Sequence, residues 1–174
     1  YLKRDDIARC VSQVETSINK KCVSKGRLAK FYNPNTKKAS GIDSNLLFLE
    51  YPFRVVDAND KVFRETVRAI ENKVVNEGVH RYPLDSYYGG GEWIILTLWL
   101  ARYYHEIKRR EEAYKLLQWV ESCADVNGEL PEQVPHHLNK PNFYRRWVEK
   151  WGPIAKPLLW SHAMYMIVYN LICQ

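Results

Sequence analysis

Several common signatures are missing from this 174-residue sequence, and each gap removes a class of function. The four cysteines, Cys10, Cys22, Cys123 and Cys173, form no CxxC, which argues against a zinc knuckle or a dithiol redox centre. His136, His137 and His162 lie in no HExxH or carboxylate spacing, so neither a metal nor any other cofactor is expected. The most apolar run, Leu158 to Cys173, contains Ser161, His162 and Asn170 and is too short to span a bilayer. No membrane partner is expected. The opening "YLKRDDIARC" has no apolar leader core and no methionine; it reads as the start of a piece of a longer chain. Lys and Arg number 26 against 20 Asp and Glu, but the excess is dispersed and not interleaved with aromatics, so nucleic acid is not an expected partner. Strand alternation and a βαβ pattern are absent as well.

Helices remain, and they alternate in character. Residues 3–24 carry Ile7, Cys10, Val11, Val14, Ile18 and Cys22 along one stripe, the pattern of an outer, half-wet helix. Residues 43–50 begin with Asp43 as N-cap, are apolar nearly all round, and stop at Pro52. Residues 59–75 are amphipathic. Residues 91–107 are apolar from 93 to 101 except for Thr97, so that helix has no wet face. Residues 111–124 are amphipathic, and 157–173 open with Pro157 at N1 and are apolar again. A small hairpin is expected around Asn33-Pro34-Asn35. The order outer, inner, repeated three times, predicts an all-α chain of three helical hairpins. Such alternation fits two concentric layers of an α/α toroid or a solenoid. A closed toroid of six pairs needs roughly 300–400 residues at ordinary helix and loop lengths, so the chain is about half of one or a short arc. The dry inner faces then need a cover from elsewhere. Three cysteines fall on apolar helix faces, predicting buried free thiols and a cytoplasmic setting.

Polar and aromatic side chains gather in the two links that lead from an outer to an inner helix. One reads "EGVHRYPLDSYYGGGEW" and brings Arg81, Tyr82, Asp85, Tyr87, Tyr88 and Trp93 around three glycines. The other holds "NGELPEQV", with Glu132 between Pro131 and Gln133, followed by Trp160. Both links open on the same rim of a toroid. Aromatic faces suit the C–H faces of sugars, and Arg and carboxylates suit hydroxyls. Glu132 could serve as one of the two carboxyls that glycoside hydrolysis requires. Blander readings stand beside this one: Arg81 pairing with Asp85 at i,i+4, aromatics that are simply core, and Glu132 as a cap or surface residue.

From about residue 41 onward the sequence resembles glycoside hydrolase family 15, the glucoamylase, glucodextranase and archaeal trehalase family. The resemblance is carried, in order, by "GIDSNLLFLEYPF", "GVHRYPLDSYYGGGEWIILTLWLARYY", "GELPEQV" and "PLLWSHAMY". It implies an (α/α)6 barrel, with 1–174 forming the C-terminal half of its catalytic domain. It also implies an inverting, exo-acting α-glucosidase in which Glu132 is the general base and Arg81, Tyr82, Trp93 and Trp160 bind the sugar. An α,α-trehalase, or a non-catalytic scaffold of the same shape, would use the same motifs. The family's general acid sits in a Trp-Glu motif on the other half of the barrel. No such motif occurs here; Trp147-Val148-Glu149 lies in the 135–156 linker, which reads as unusually long and basic. The expected partners are therefore an α-glucoside or trehalose and the N-terminal half of the barrel, and the isolated chain is expected to be inactive.

Overall fold

The computed structural model describes residues 3–174. Helix α1 (Arg4–Lys21) leads into two small hairpins: β1 (Val23–Ser24) pairs with β2 (Arg27–Leu28), and β3 (Phe31–Asn33) with β4 (Lys38–Ser40). The second is the hairpin expected around Asn33, whose side-chain oxygen accepts the amides of Asn35 and Thr36 and fixes the turn. A 3₁₀ helix (Ser44–Leu49) follows, then α2 (Lys61–Val74), β5 (Val79–His80), a short 3₁₀ turn (Tyr87–Gly89) and β6 (Glu92–Trp93). Next come α3 (Ile94–Glu106), α4 (Arg110–Ser122), β7 (Gln133–Val134), α5 (Pro141–Trp151) and α6 (Leu159–Cys173).

Helix α3 is the axis of the packing, set against α4, α6 and the first 3₁₀ helix. Ile94, Leu96, Leu98, Leu100 and Ala101 are essentially inaccessible, as a helix without a polar face requires. Helices α2 and α4 bury one stripe each: Phe63, Val67, Ile70 and Val74 in α2, and Ala113, Leu116, Leu117 and Val120 in α4. The N-caps follow local chemistry. Asp43 accepts the Asn45 amide and Asp60 accepts that of Phe63. Thr66 turns its hydroxyl to the Val62 carbonyl and accepts the Leu28 amide, which moors the first hairpin to α2.

Four expectations are corrected. The first inner helix is only the 3₁₀ segment Ser44–Leu49, because Pro52 ends it after less than two α-turns. The 135–156 linker contains a helix, α5, started by Pro141 in its first turn and stopped at Gly152. Pro157 lies before α6, whose first turn begins at Leu159. The cysteines are free but not buried: Cys10 and Cys173 are exposed, and Cys22 and Cys123 are half-buried. The apolar stripe of α1 faces an open groove, with Ile7, Val11 and Val14 exposed. Likewise α6 buries Ser161, Met164 and Val168 but leaves Leu159, Trp160, Met166, Ile167, Tyr169 and Leu171 exposed. Within the described residues no helix is long and apolar enough to cross a membrane.

Candidate active site

The two polar links meet in a three-stranded antiparallel sheet ordered β5-β6-β7. Trp93 sits opposite Val79 on one side and Gln133 on the other, and the Ile94 amide reaches the Glu132 carbonyl. Segments about fourteen and forty residues apart in sequence are joined by these few rungs. The Glu132 stretch is fixed from behind as well. Its amide donates to the Ala155 carbonyl, Leu158 donates to the Leu130 carbonyl, and the Ser161 hydroxyl donates to the Pro131 carbonyl at 2.6 Å. The Leu130 amide donates to His162 Nε2, so that imidazole carries its proton on Nδ1 when neutral. At the entry to the stretch, Asp125 accepts the Asn127 and Glu129 amides and pairs with Lys156 at 2.7 Å. The ammonium and these amides bring its carboxyl down to about 2.

The other wall is the glycine turn. Tyr88, Gly89 and Gly90 all have positive φ, and a Cβ at Gly90 would stand 2.3 Å from the Asp85 carbonyl oxygen. At Gly91 a Cβ would meet the Val134 carbonyl oxygen at 2.2 Å. Only glycine lets this turn close on the sheet. The turn is held from a third side by Ser44, whose amide donates to the Arg81 carbonyl and whose hydroxyl donates to that of His80.

Arg81 makes a bidentate pair with Asp85, Nε to Oδ2 at 2.9 Å and Nη2 to Oδ1 at 2.7 Å. The i,i+4 pairing foreseen as a structural alternative is therefore real. It also orients the guanidinium, which lies 5.1 Å from the Trp93 ring and 5.5 Å from that of Tyr87. Tyr87 stacks on Trp93 with ring centroids 5.9 Å apart. The Glu132 carboxyl lies against this group. Burial raises its pKa, and the Tyr87 hydroxyl and Arg81 charge pull it back; burial wins, and the net shift is upward. Tyr87 in turn is pushed up to about 12 by burial and by the carboxylate. Glu132 Oε2 and Trp93 Nε1 are buried and make no hydrogen bond among the described residues. The corner thus offers an acceptor and a donor together with an oriented cation.

The structure brings Arg81, Trp93 and Glu132 together; Tyr82 borders the same guanidinium and a second cavity, and Trp160 lines a separate groove. The Tyr82 ring lies 5.1 Å from the Arg81 guanidinium, and the Lys30 ammonium caps it at 3.1 Å. Trp160, 68% exposed, lines an apolar groove of about 390 Å³ with Phe48, Tyr51, Trp99 and Met164, which none of Arg81, Trp93 or Glu132 lines. A further wall comes from α5. Trp147 meets Tyr87 edge-on at 4.9 Å and lies 5.6 Å from Tyr88. Its signal was the aromatic spacing Phe143, Trp147, Trp151, one residue per turn. Behind β6, the buried Glu92 accepts the Gly78 amide and faces His137 at 3.3 Å. Among the described residues no three His, Cys, Asp or Glu side chains are grouped to hold a metal ion.

No protein-family model matches the chain. It is 37% identical to an isomaltose glucohydrolase of Kribbella flavida over 158 residues, which is 90% of this chain and 40% of that protein. It is 35% identical over 156 residues to an uncharacterized glycosyl hydrolase of Methanocaldococcus jannaschii, covering 81% of this chain and 23% of the relative. With a trehalase of Sulfolobus acidocaldarius the identity is 31% over 112 residues, 62% of this chain and 19% of that one. Solved glycosidases superpose well. A wild-type glycosidase matches with a TM-score of 0.89 at 34% identity, covering 98% of this chain and 45% of its own. A glycosidase variant in complex with glucose matches equally well. The chain spans less than half the length of each of these proteins. Its relatives are glycosidases, and its fold is that of about half of their helical barrel.

Proposed function

We propose that this chain, related to glycosidases and spanning less than half their length, forms the C-terminal, base-bearing half of an inverting, exo-acting α-glucosidase. Glu132 is the general base in this reading: as a carboxylate it takes a proton from water, which attacks the anomeric carbon from the face opposite the departing sugar. The observation that carries the reading is the half-buried Glu132, with its raised pKa and its unpaired Oε2, beside an arginine already oriented by Asp85. A raised pKa strengthens the carboxylate as a base. Arg81 and Trp93 Nε1 are the groups that hold hydroxyls of the sugar bound at the corner, and Tyr87 and Trp93 present faces to its C–H surface.

Trp160, which lines a groove outside the corner, is assigned to a more distant part of the same substrate path. The missing general acid is assigned to the N-terminal half of the barrel, whose helices cover the apolar faces of α1 and α6. A trehalase activity is the second reading, supported by the trehalase relative. A cytoplasmic setting accords with four free cysteines. The test is glucose release from isomaltose, maltose and trehalose by the isolated chain and by the chain joined to its N-terminal half. The reading expects turnover only from the joined protein, with at least a hundredfold loss in Glu132→Gln, on the order of one catalytic group. Turnover by the isolated chain, or retained activity in that variant, rejects it.

A further inference from the structure

The Arg81-Tyr82 dipeptide borders two sites. Arg81 faces the Glu132 corner, whereas Tyr82 lines a second cavity of about 480 Å³ with Arg27, Lys30, Phe31, Lys73 and Leu84. Three cations line this cavity and no acidic residue does. Lys30 is already committed: its ammonium sits 2.8 Å from the buried Asp43 and over the Tyr82 ring. Arg27 and Lys73 make no ion pair among the described residues. Uncompensated like charges around a concave, partly apolar surface create a positive potential that attracts anions. The guanidinium of Arg27 further favours an anion with several oxygens, such as phosphate or carboxylate. The remaining walls are apolar and flat. Phe31 and Leu84 are 58% and 73% exposed, and with Tyr82 they suit the C–H faces of a sugar ring. The cavity is of the size that takes a small molecule rather than a lone ion.

We propose that this cavity binds an anionic monosaccharide, a sugar phosphate or a uronate, with the charged group on Arg27 and Lys73 and the ring on Phe31, Tyr82 and Leu84. The site is distinct from the Glu132 corner and does not rest on the catalytic reading. Through Tyr82 it adjoins Arg81.

Calorimetric titration of the purified protein with glucose 6-phosphate, glucuronate, glucose and inorganic phosphate tests this. Glucose 6-phosphate binds at least about tenfold more tightly than glucose, since one charge-assisted contact is commonly worth that factor. The preference shrinks as salt rises and falls in Arg27→Gln and in Lys73→Gln. Lys73 is exposed at the end of α2, so its substitution keeps the fold and serves as the control for Arg27. Glu132→Gln leaves the preference intact, which separates this site from the catalytic one. Glucuronate matching glucose 6-phosphate assigns the charge site to anions generally, and its failure to bind assigns it to phosphate; both support the proposal. Glucose binding as well as glucose 6-phosphate overturns it. So does a preference that survives both substitutions, or inorganic phosphate binding as tightly as the sugar phosphate.

Discussion

Asp85→Asn is the most informative single change, because one carboxylate controls both the rigidity and the electrostatics of the corner. Asp85 is fully buried and accepts both arms of Arg81 as well as the Tyr87 amide at 3.1 Å. Removing the charge of one partner in a buried pair costs about 3–5 kcal/mol. Arg81 keeps 27% side-chain exposure and regains some hydration, so the expected loss is smaller, about 2–3 kcal/mol. The variant retains a shape able to accept one arm of the guanidinium, and misfolding is not expected. The second effect is electrostatic. At present the Arg81 charge lowers the Glu132 pKa while being largely neutralised by Asp85. Without that neutralisation its pull on Glu132 grows, and the Glu132 pKa falls toward the ordinary carboxylate range. In the complete enzyme the acid limb of the kcat/KM profile then moves to lower pH, and the maximum rate drops because the base is weaker and Arg81 less well aimed. Urea denaturation measures the first effect and a pH–rate profile the second. A stability loss below about 0.5 kcal/mol, the scatter of ordinary surface changes, together with an acid limb that stays put or moves up, refutes the assignment of Asp85 as the group that aims Arg81 at Glu132.

Three further outcomes are expected. Glu132 has a folded pKa above its unfolded one, so the stability it contributes is present below the unfolded pKa and lost as pH rises through the folded pKa. Glu132→Gln therefore unfolds at higher denaturant concentration than the parent at neutral pH, and the gain vanishes below about pH 4; an equal gain at both extremes contradicts the shift. Gly91→Ala drives a Cβ to 2.2 Å from the Val134 carbonyl oxygen and costs about 2–4 kcal/mol by parting β6 from β7, read by thermal unfolding. Trp147→Ala strips the cover from Tyr87 and Tyr88, with an expected loss of about 1–3 kcal/mol for a half-buried aromatic. In the complete enzyme it raises KM more than it lowers kcat, which steady-state kinetics separates.

Where a feature repeats over several turns, the sequence was legible. The unbroken apolar run of α3 identified the central helix, and the single stripes of α2 and α4 identified their dry sides. Asp43 and the Asn33 turn were readable because capping and Asx chemistry act within three residues. The sheet β5-β6-β7 was not readable: strands of two residues have no period, and their partners are set by where distant segments arrive. Helix α5 was hidden by its basic character and flanking prolines, although its aromatics recur once per turn. The cysteine exposures were misjudged for another reason. A stripe such as Ile7, Val11 and Val14 predicts that something covers it, and among the described residues nothing does. Arg81, Trp93 and Glu132 were legible as a group, while the capping of the Tyr82 ring by Lys30 was not, because local pattern does not connect the two residues.

The short ladder between β6 and β7 has one more consequence. Successive residues of a strand face opposite ways, so Glu132 and its neighbour Gln133, which accepts the Gly91 amide, hold their places only while Trp93 stays opposite Gln133. Upstream, Asp125 and Lys156 clamp the loop mouth, and the Ala155 and Leu130 contacts set the spacing between clamp and ladder. The segment from 125 to 132 behaves as a ruler. Between Asp125 and Glu132 its composition can drift, but lengthening or shortening it by one residue points the carboxylate into the sheet and the amide into the corner.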